Sequence, residues 1–181
     1  MKKSILLFGF LILGQTFMYS QQAERVKGPV IQDYGATFEV PHPDLVTDID
    51  SEFKVIFDVD KSSEDKSEVN RYIEVAARFL NMHARAGMKP EQLKVAMTIH
   101  AGAAQDVLNN EVYKAKYGVD NPNFKLINDL SKAGVDIIIC GQSAAKNNMS
   151  RENINPNVKI ALSATTALIQ YQNKGYQFVK Y

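Results

Sequence analysis

Cys140 is the only cysteine in a chain of 181 residues, and it stands at a junction of sequence types. The apolar run Val135-Asp136-Ile137-Ile138-Ile139 precedes it and Gly141-Gln142-Ser143 follows it. That pattern reads as a buried strand that stops at the thiol and gives way to a short helix. The free N–H groups and dipole of a helix's first turn favour thiolate over thiol. A thiolate attacks sulfane sulfur, and the persulfide so formed can pass sulfur onward. A lone cysteine at a strand end also packs as a small buried hydrophobe, because free cysteine is among the most buried residue types. Pattern alone leaves both roles open.

Three other places carry chemistry. His100 ends the apolar run Leu93–Ile99 and can carry a proton or hydrogen-bond near the thiolate, or simply bond to backbone. Ala101-Gly102-Ala103-Ala104 after it lets backbone approach a ligand closely, with Gly102 the most permissive position, but it is no phosphate loop. Ser163 ends the run Val158–Leu162 and is placed to cap a helix. Asp58 and Asp60 close the first apolar run and are expected on opposite sides of it, as loop caps or solvated charges. His83 reads as a packed or surface residue on a helix. With one cysteine and three scattered histidines, no metal-ligand spacing is present. There is no dinucleotide fingerprint, P-loop or nucleophile-elbow motif, so no cofactor is called for.

The elements that position these residues alternate in type. Strands are expected at Phe53–Val59, Leu93–Ile99, Val135–Ile139, Val158–Leu162 and Tyr176–Val179. Ser62 and Asp65 give a capping signature for a helix running to about Met88, whose apolar stripe includes Val69, Tyr72, Ile73, Ala76 and Leu80. Helices are also expected over about Val107 to Tyr117, after Asn121-Pro122, from Gly141 to about Met149, and after Ser163. Strands alternating with helices mean βαβ units and a mostly parallel sheet. Ligands of such a sheet bind beyond the carboxyl ends of its strands, where Asp58, His100, Cys140 and Ser163 all fall.

Lys2 and Lys3 before the apolar run Ile5–Gly14 read as a secretory signal peptide over residues 1–20, cleaved near Ser20; an uncleaved anchor is the alternative. Residues 21–52 are irregular and punctuated by Pro29, Gly35, Pro41 and Pro43. They read as an arm laid over the domain or a partner subunit, with Phe38 and Val40 placed to pin it, or as a mobile linker. Residues 53–181 form the α/β domain. Without residues 1–20, Lys+Arg falls from 21 to 19 against 20 Asp+Glu, a net charge of −1. That balance offers nothing to nucleic acid or to an acidic membrane surface. The expected location is periplasmic or secreted, with no stable membrane span after cleavage.

Phe57-Asp58-Val59, Ala76–Asn81, Thr98–Ala104, Leu130–Val135, Ile139–Ser143 and Val158–Ala164 together resemble the DsrE/DsrF-like family, particularly its exported members, over roughly residues 53–180. The resemblance implies an α/β three-layer sandwich with a five-stranded, mainly parallel sheet flanked by helices. It implies assembly as a homotrimer or homohexamer. It also implies relay of sulfur as a persulfide on Cys140, with His100 assisting. Gly102, Gly141, Gln142, Ser143 and Ser163 would line the binding site, and a sulfur-donor or acceptor protein would be the partner. The competing expectation is a non-catalytic oligomeric binding or structural module in which Cys140 only packs.

Overall fold

The computed structural model describes residues 24–181; the expected signal segment lies outside them. Five strands form one sheet: β1 (Phe53–Val59), β2 (Leu93–Ile99), β3 (Asp136–Cys140), β4 (Lys159–Ala161) and β5 (Gln177–Lys180). Their order is β4-β3-β2-β1-β5 and every pairing is parallel. The helices are α1 (Glu74–Arg85), α2 (Asn110–Tyr117), α3 (Asn123–Lys132), α4 (Gly141–Lys146) and α5 (Ala164–Asn173). No helix among the described residues is long and apolar enough to cross a membrane.

Connection handedness explains the layers. From β1 to β4 each strand is added on the same side of the last, and right-handed crossovers keep the intervening helices on one face. The step from β4 to β5 runs back across the sheet, so its crossover helix, α5, lies on the other face. Val55, Phe57, Met97, Ile99, Ile137 and Ile139 point into the main core, which Leu80 of α1 and Leu126, Ile127 and Leu130 of α3 complete. Ile56, Ala96 and Ile138, at alternate positions, are buried on the α5 face, where Ala164 and Ala167 are also buried.

The first helix is shorter than its sequence pattern suggests. It begins at Glu74, not near Asp65, and residues 60–73 form a folded loop. Short polar side chains there bond backbone in competition with a helix. Asp65 accepts from the Ser67 N–H at 2.8 Å, and Asn70 Oδ1 accepts from the Tyr72 N–H at 2.8 Å. Buried Asp106 holds the loop down, accepting from Ser62 Oγ at 2.8 Å and Asn70 Nδ2 at 2.7 Å. Burial pushes the Asp106 carboxyl up, and those two bonds oppose the rise.

Residues 24–37 of the arm lie against α1. Fully buried Asn81 accepts from the Val30 and Ile31 N–H groups at 3.0 and 2.8 Å and donates to the carbonyls of Ile31, Tyr34 and Gly35. A Cβ on Gly35 would lie 2.4 Å from the Ala77 carbonyl carbon, so only glycine permits this approach. Phe38 and Val40, expected to pin the arm, are 53% and 68% exposed. The anchor is instead a backbone clasp around one amide side chain, which hydropathy does not reveal.

Candidate functional site

The strand-to-helix junction at Cys140 has no intervening loop: β3 ends at Cys140 and α4 starts at Gly141. Register pairs Cys140 with Ala161 of β4, which brings β4 hard against the start of α4. A Cβ on Gly141 would sit 2.5 Å from the Ala161 carbonyl oxygen and 3.3 Å from that of Leu162. Glycine is therefore required by close backbone approach, and its small size lets α4 turn directly off the strand.

Two helix starts converge on the sulfur. Burial pushes the Cys140 thiol up, and hydrogen bonds from the Ser143 N–H, the Ser143 hydroxyl and the N–H groups of Ala164 and Gln142 outweigh it. The net effect holds the thiol below the ordinary thiol range. Ser143 and Gln142 come from the first turn of α4, and Ala164 is the first residue of α5. Cys140 itself is only 6% exposed.

The sequence-predicted residues divide in how they meet this centre. The Ser143 and Gln142 amides help hold the thiol low, while the Gln142 side chain donates elsewhere, to the Leu162 carbonyl at 3.3 Å. Ser163 does not use its hydroxyl there: that group caps α5, accepting from the Thr166 N–H at 3.0 Å and meeting the Thr166 hydroxyl at 2.9 Å. The amide that reaches the thiol is that of its neighbour Ala164. Gly102 approaches its own chain, since a Cβ there would lie 3.1 Å from the Asp60 carbonyl oxygen. His83 is remote from the site, with Nδ1 bonded to the Phe79 carbonyl at 2.8 Å.

His100 follows the last β2–β3 pair, Ile99 with Ile139, so it stands one register step on, beside Cys140 and on the same face. Neighbouring strands are about 4.8 Å apart. Its ring, however, points to β1: Nε2 lies 2.8 Å from Asp58 Oδ1. No hydrogen bond joins His100 to Cys140 among the described residues. The next residue, Ala101, has a φ of 48°, a left-handed conformation strained for a side chain with a Cβ. The Ala101 N–H donates to Ser143 Oγ at 3.1 Å, so one hydroxyl touches both the thiol and the His100 turn.

For Asp58 the sequence shows the place, at the carboxyl edge of the sheet, but hides the burial and the partners. Its carboxyl is 7% exposed and accepts from His100, from Thr98 Oγ1 at 3.1 Å and from Lys180 Nζ at 2.9 Å. Lys180 also meets Asp60 Oδ2 at 2.9 Å, so Asp58 and Asp60 share a face, contrary to expectation. Residues two apart along a strand point the same way, because the side-chain period is two. The hydrogen bond from Lys180 lowers the Asp60 carboxyl against a smaller upward push from burial. The polar row across the carboxyl edge thus runs Cys140, His100, Asp58, Lys180, over β3, β2, β1 and β5. Among the described residues, no group of three or more His, Cys, Asp or Glu could hold a metal ion.

Comparison with known proteins bears on the domain as a whole. The family model described as the DsrE/DsrF-like family matches residues 54–181. MTH1491 of Methanobacterium thermoautotrophicum, whose structure is described as that of a protein of unknown function, is 15% identical, with a TM-score of 0.53. That likeness covers 72% of this chain and all of the other. The ychN protein of E. coli is 12% identical with a TM-score of 0.52, over 71% of this chain and 99% of its own. At these identities the likeness establishes the fold. No curated protein matches the chain.

Proposed function

The chain belongs to the DsrE/DsrF-like family, and from that premise we propose that it is an exported sulfur carrier that accepts sulfane sulfur as a persulfide on Cys140. The observation that carries this reading is the position of Cys140, which ends β3, opens directly into α4 and pairs with Ala161 three residues before α5, so that the N–H donors of two helix starts lie on its side of the sheet edge. Such donors stabilise a sulfur anion, whether thiolate or persulfide.

The transfer balances without an oxidant. The Cys140 thiolate attacks the outer sulfur of a donor R–S–SH; a new S–S bond forms at Cys140, the donor's S–S bond breaks, and RS⁻ leaves. A proton carried by His100 converts RS⁻ to RSH. Release to an acceptor thiolate runs the same exchange in reverse. The donor and acceptor are small persulfides or partner proteins. The chain works as a homotrimer or homohexamer in the periplasm or outside the cell, after removal of residues 1–20.

A second reading is a non-catalytic oligomeric binding or structural module. The 6% exposure of Cys140 favours it, since a packing cysteine needs no access. Labelling of the native protein with a small alkylating agent separates the two. A relay thiol reacts at a rate that rises with its thiolate fraction. A packing thiol reacts only when denaturant unfolds the chain, and that result would reject the carrier reading.

A further inference from the structure

The Asp58 carboxylate is richly held for a residue at a strand end. Oδ1 takes His100 Nε2 at 2.8 Å and Thr98 Oγ1 at 3.1 Å, and Oδ2 takes Lys180 Nζ at 2.9 Å. Thr98 is fully buried, and the β1–β2 register sets it opposite Asp58. A carboxylate only accepts hydrogen bonds, so the imidazole nitrogen facing it must carry the proton. The ring is fixed from its backbone side as well. The His100 N–H donates to the Val59 carbonyl at 2.9 Å, and left-handed Ala101 is tied to Ser143. His100 Nδ1 makes no hydrogen bond among the described residues, and the His100 side chain keeps 25% of its surface open.

We infer that Asp58 is the positioning residue for His100: by taking the Nε2–H it leaves Nδ1 as the one nitrogen that exchanges a proton when sulfur moves onto or off Cys140. This rests on the carrier reading above. The proton path then closes on itself. Nδ1 takes the thiol proton of Cys140 as the thiolate forms, and returns it to the departing RS⁻ once the persulfide bond is made. Net, Cys–SH and R–S–SH give Cys–S–SH and RSH. Thr98 and Lys180 occupy the rest of the carboxylate, so Asp58 is held in place to orient the ring.

The test pairs a spectroscopic and a kinetic readout on the same protein, with histidine ¹⁵N-labelled. At a pH where the ring is neutral, wild-type His100 should show the Nε2–H tautomer. In Asp58→Asn the amide oxygen stays with Lys180 and the NH₂ turns to Nε2, so the proton should move to Nδ1. Sulfur loading of Cys140 from cysteine persulfide, followed by mass, should slow about tenfold or more in that variant. Asp60→Asn, which loses only a Lys180 contact, should change neither readout. A wild-type Nδ1–H tautomer overturns the inference, whether or not Asp58→Asn folds. So does an Asp58→Asn protein that shows the switched tautomer but loads at the wild-type rate. A wild-type protein that takes no sulfur sinks the carrier reading instead, while its tautomer still reports on the ring.

Discussion

Replacing Ser143 with alanine should slow the chemistry of Cys140 with little loss of fold. The hydroxyl accepts from the Ala101 N–H at 3.1 Å and helps hold the Cys140 thiol below the ordinary range. Ala101 is exposed, so water takes over its N–H and stability near neutral pH changes by less than about 1 kcal/mol. The bond to sulfur has no such substitute, because Cys140 is 6% exposed. A hydrogen bond to a charged group contributes about 1.5–3 kcal/mol, and the lower end alone is about tenfold in the thiolate equilibrium. The amides of Ser143, Gln142 and Ala164 remain, so the thiol moves up without losing all its activation. The assay is iodoacetamide alkylation against pH. The Ser143→Ala curve should be displaced to higher pH, about tenfold slower on its acidic limb, and should meet wild type where both are fully ionised. Stability follows the same sign. A thiol held low in the folded state adds stability above its unfolded value, about 8.5, and loses it as pH falls through the folded value. The variant should therefore melt below wild type at pH 9 and with it in acid. Superposed alkylation profiles would refute the claim that the hydroxyl supports the thiolate.

Gly141→Ala forces a Cβ to 2.5 Å from the Ala161 carbonyl oxygen; we expect a cost of about 2 kcal/mol, a Tm lower by about 4–8 °C and slower alkylation as α4 shifts, and an unchanged Tm would contradict the close approach. Asn81→Ala removes five hydrogen bonds to residues 30–35, so limited proteolysis should cut the arm at least about tenfold faster while the sheet stays protected; equal cleavage would deny the clasp its role. Burial raises the Asp136 carboxyl, but Lys159 and the Tyr171 hydroxyl at 2.6 Å together hold it below the usual range. That contribution is present above an unfolded value of about 3.9 and is lost as pH falls through the folded value, so Tyr171→Phe should cost about 1 kcal/mol at pH 7 and nothing in strong acid. A deficit that persists in acid would place the loss in packing.

The strands were legible because runs such as Phe53–Val59 and Leu93–Ile99 are apolar enough for a sheet buried on both faces. The Cys140–Gly141 junction was legible for the same reason, the change of period from strand to helix. What lay hidden depends on register. Asp58 is 42 residues from His100, and only the parallel pairing of β1 with β2 makes them partners. Ala164 serves the thiol through a backbone amide, which no residue type announces. The start of α1 was misplaced because Asp65 and Asn70 bond nearby backbone and the buried Asp106 carboxyl holds that loop, contacts that an apolar stripe at helical spacing does not report. The arm's anchor was unreadable because it is Asn81, a polar side chain buried by its partners.

The most direct test of the carrier reading is the intact mass of the native mature protein after incubation with polysulfide or thiosulfate, beside Cys140→Ser. A sulfur carrier gains about 32 Da, one sulfur atom, that reductant removes and the variant never shows. An unmodified wild-type mass, with a thiol that labels only in denaturant, would contradict it and leave Cys140 as a packing residue of a binding or structural module.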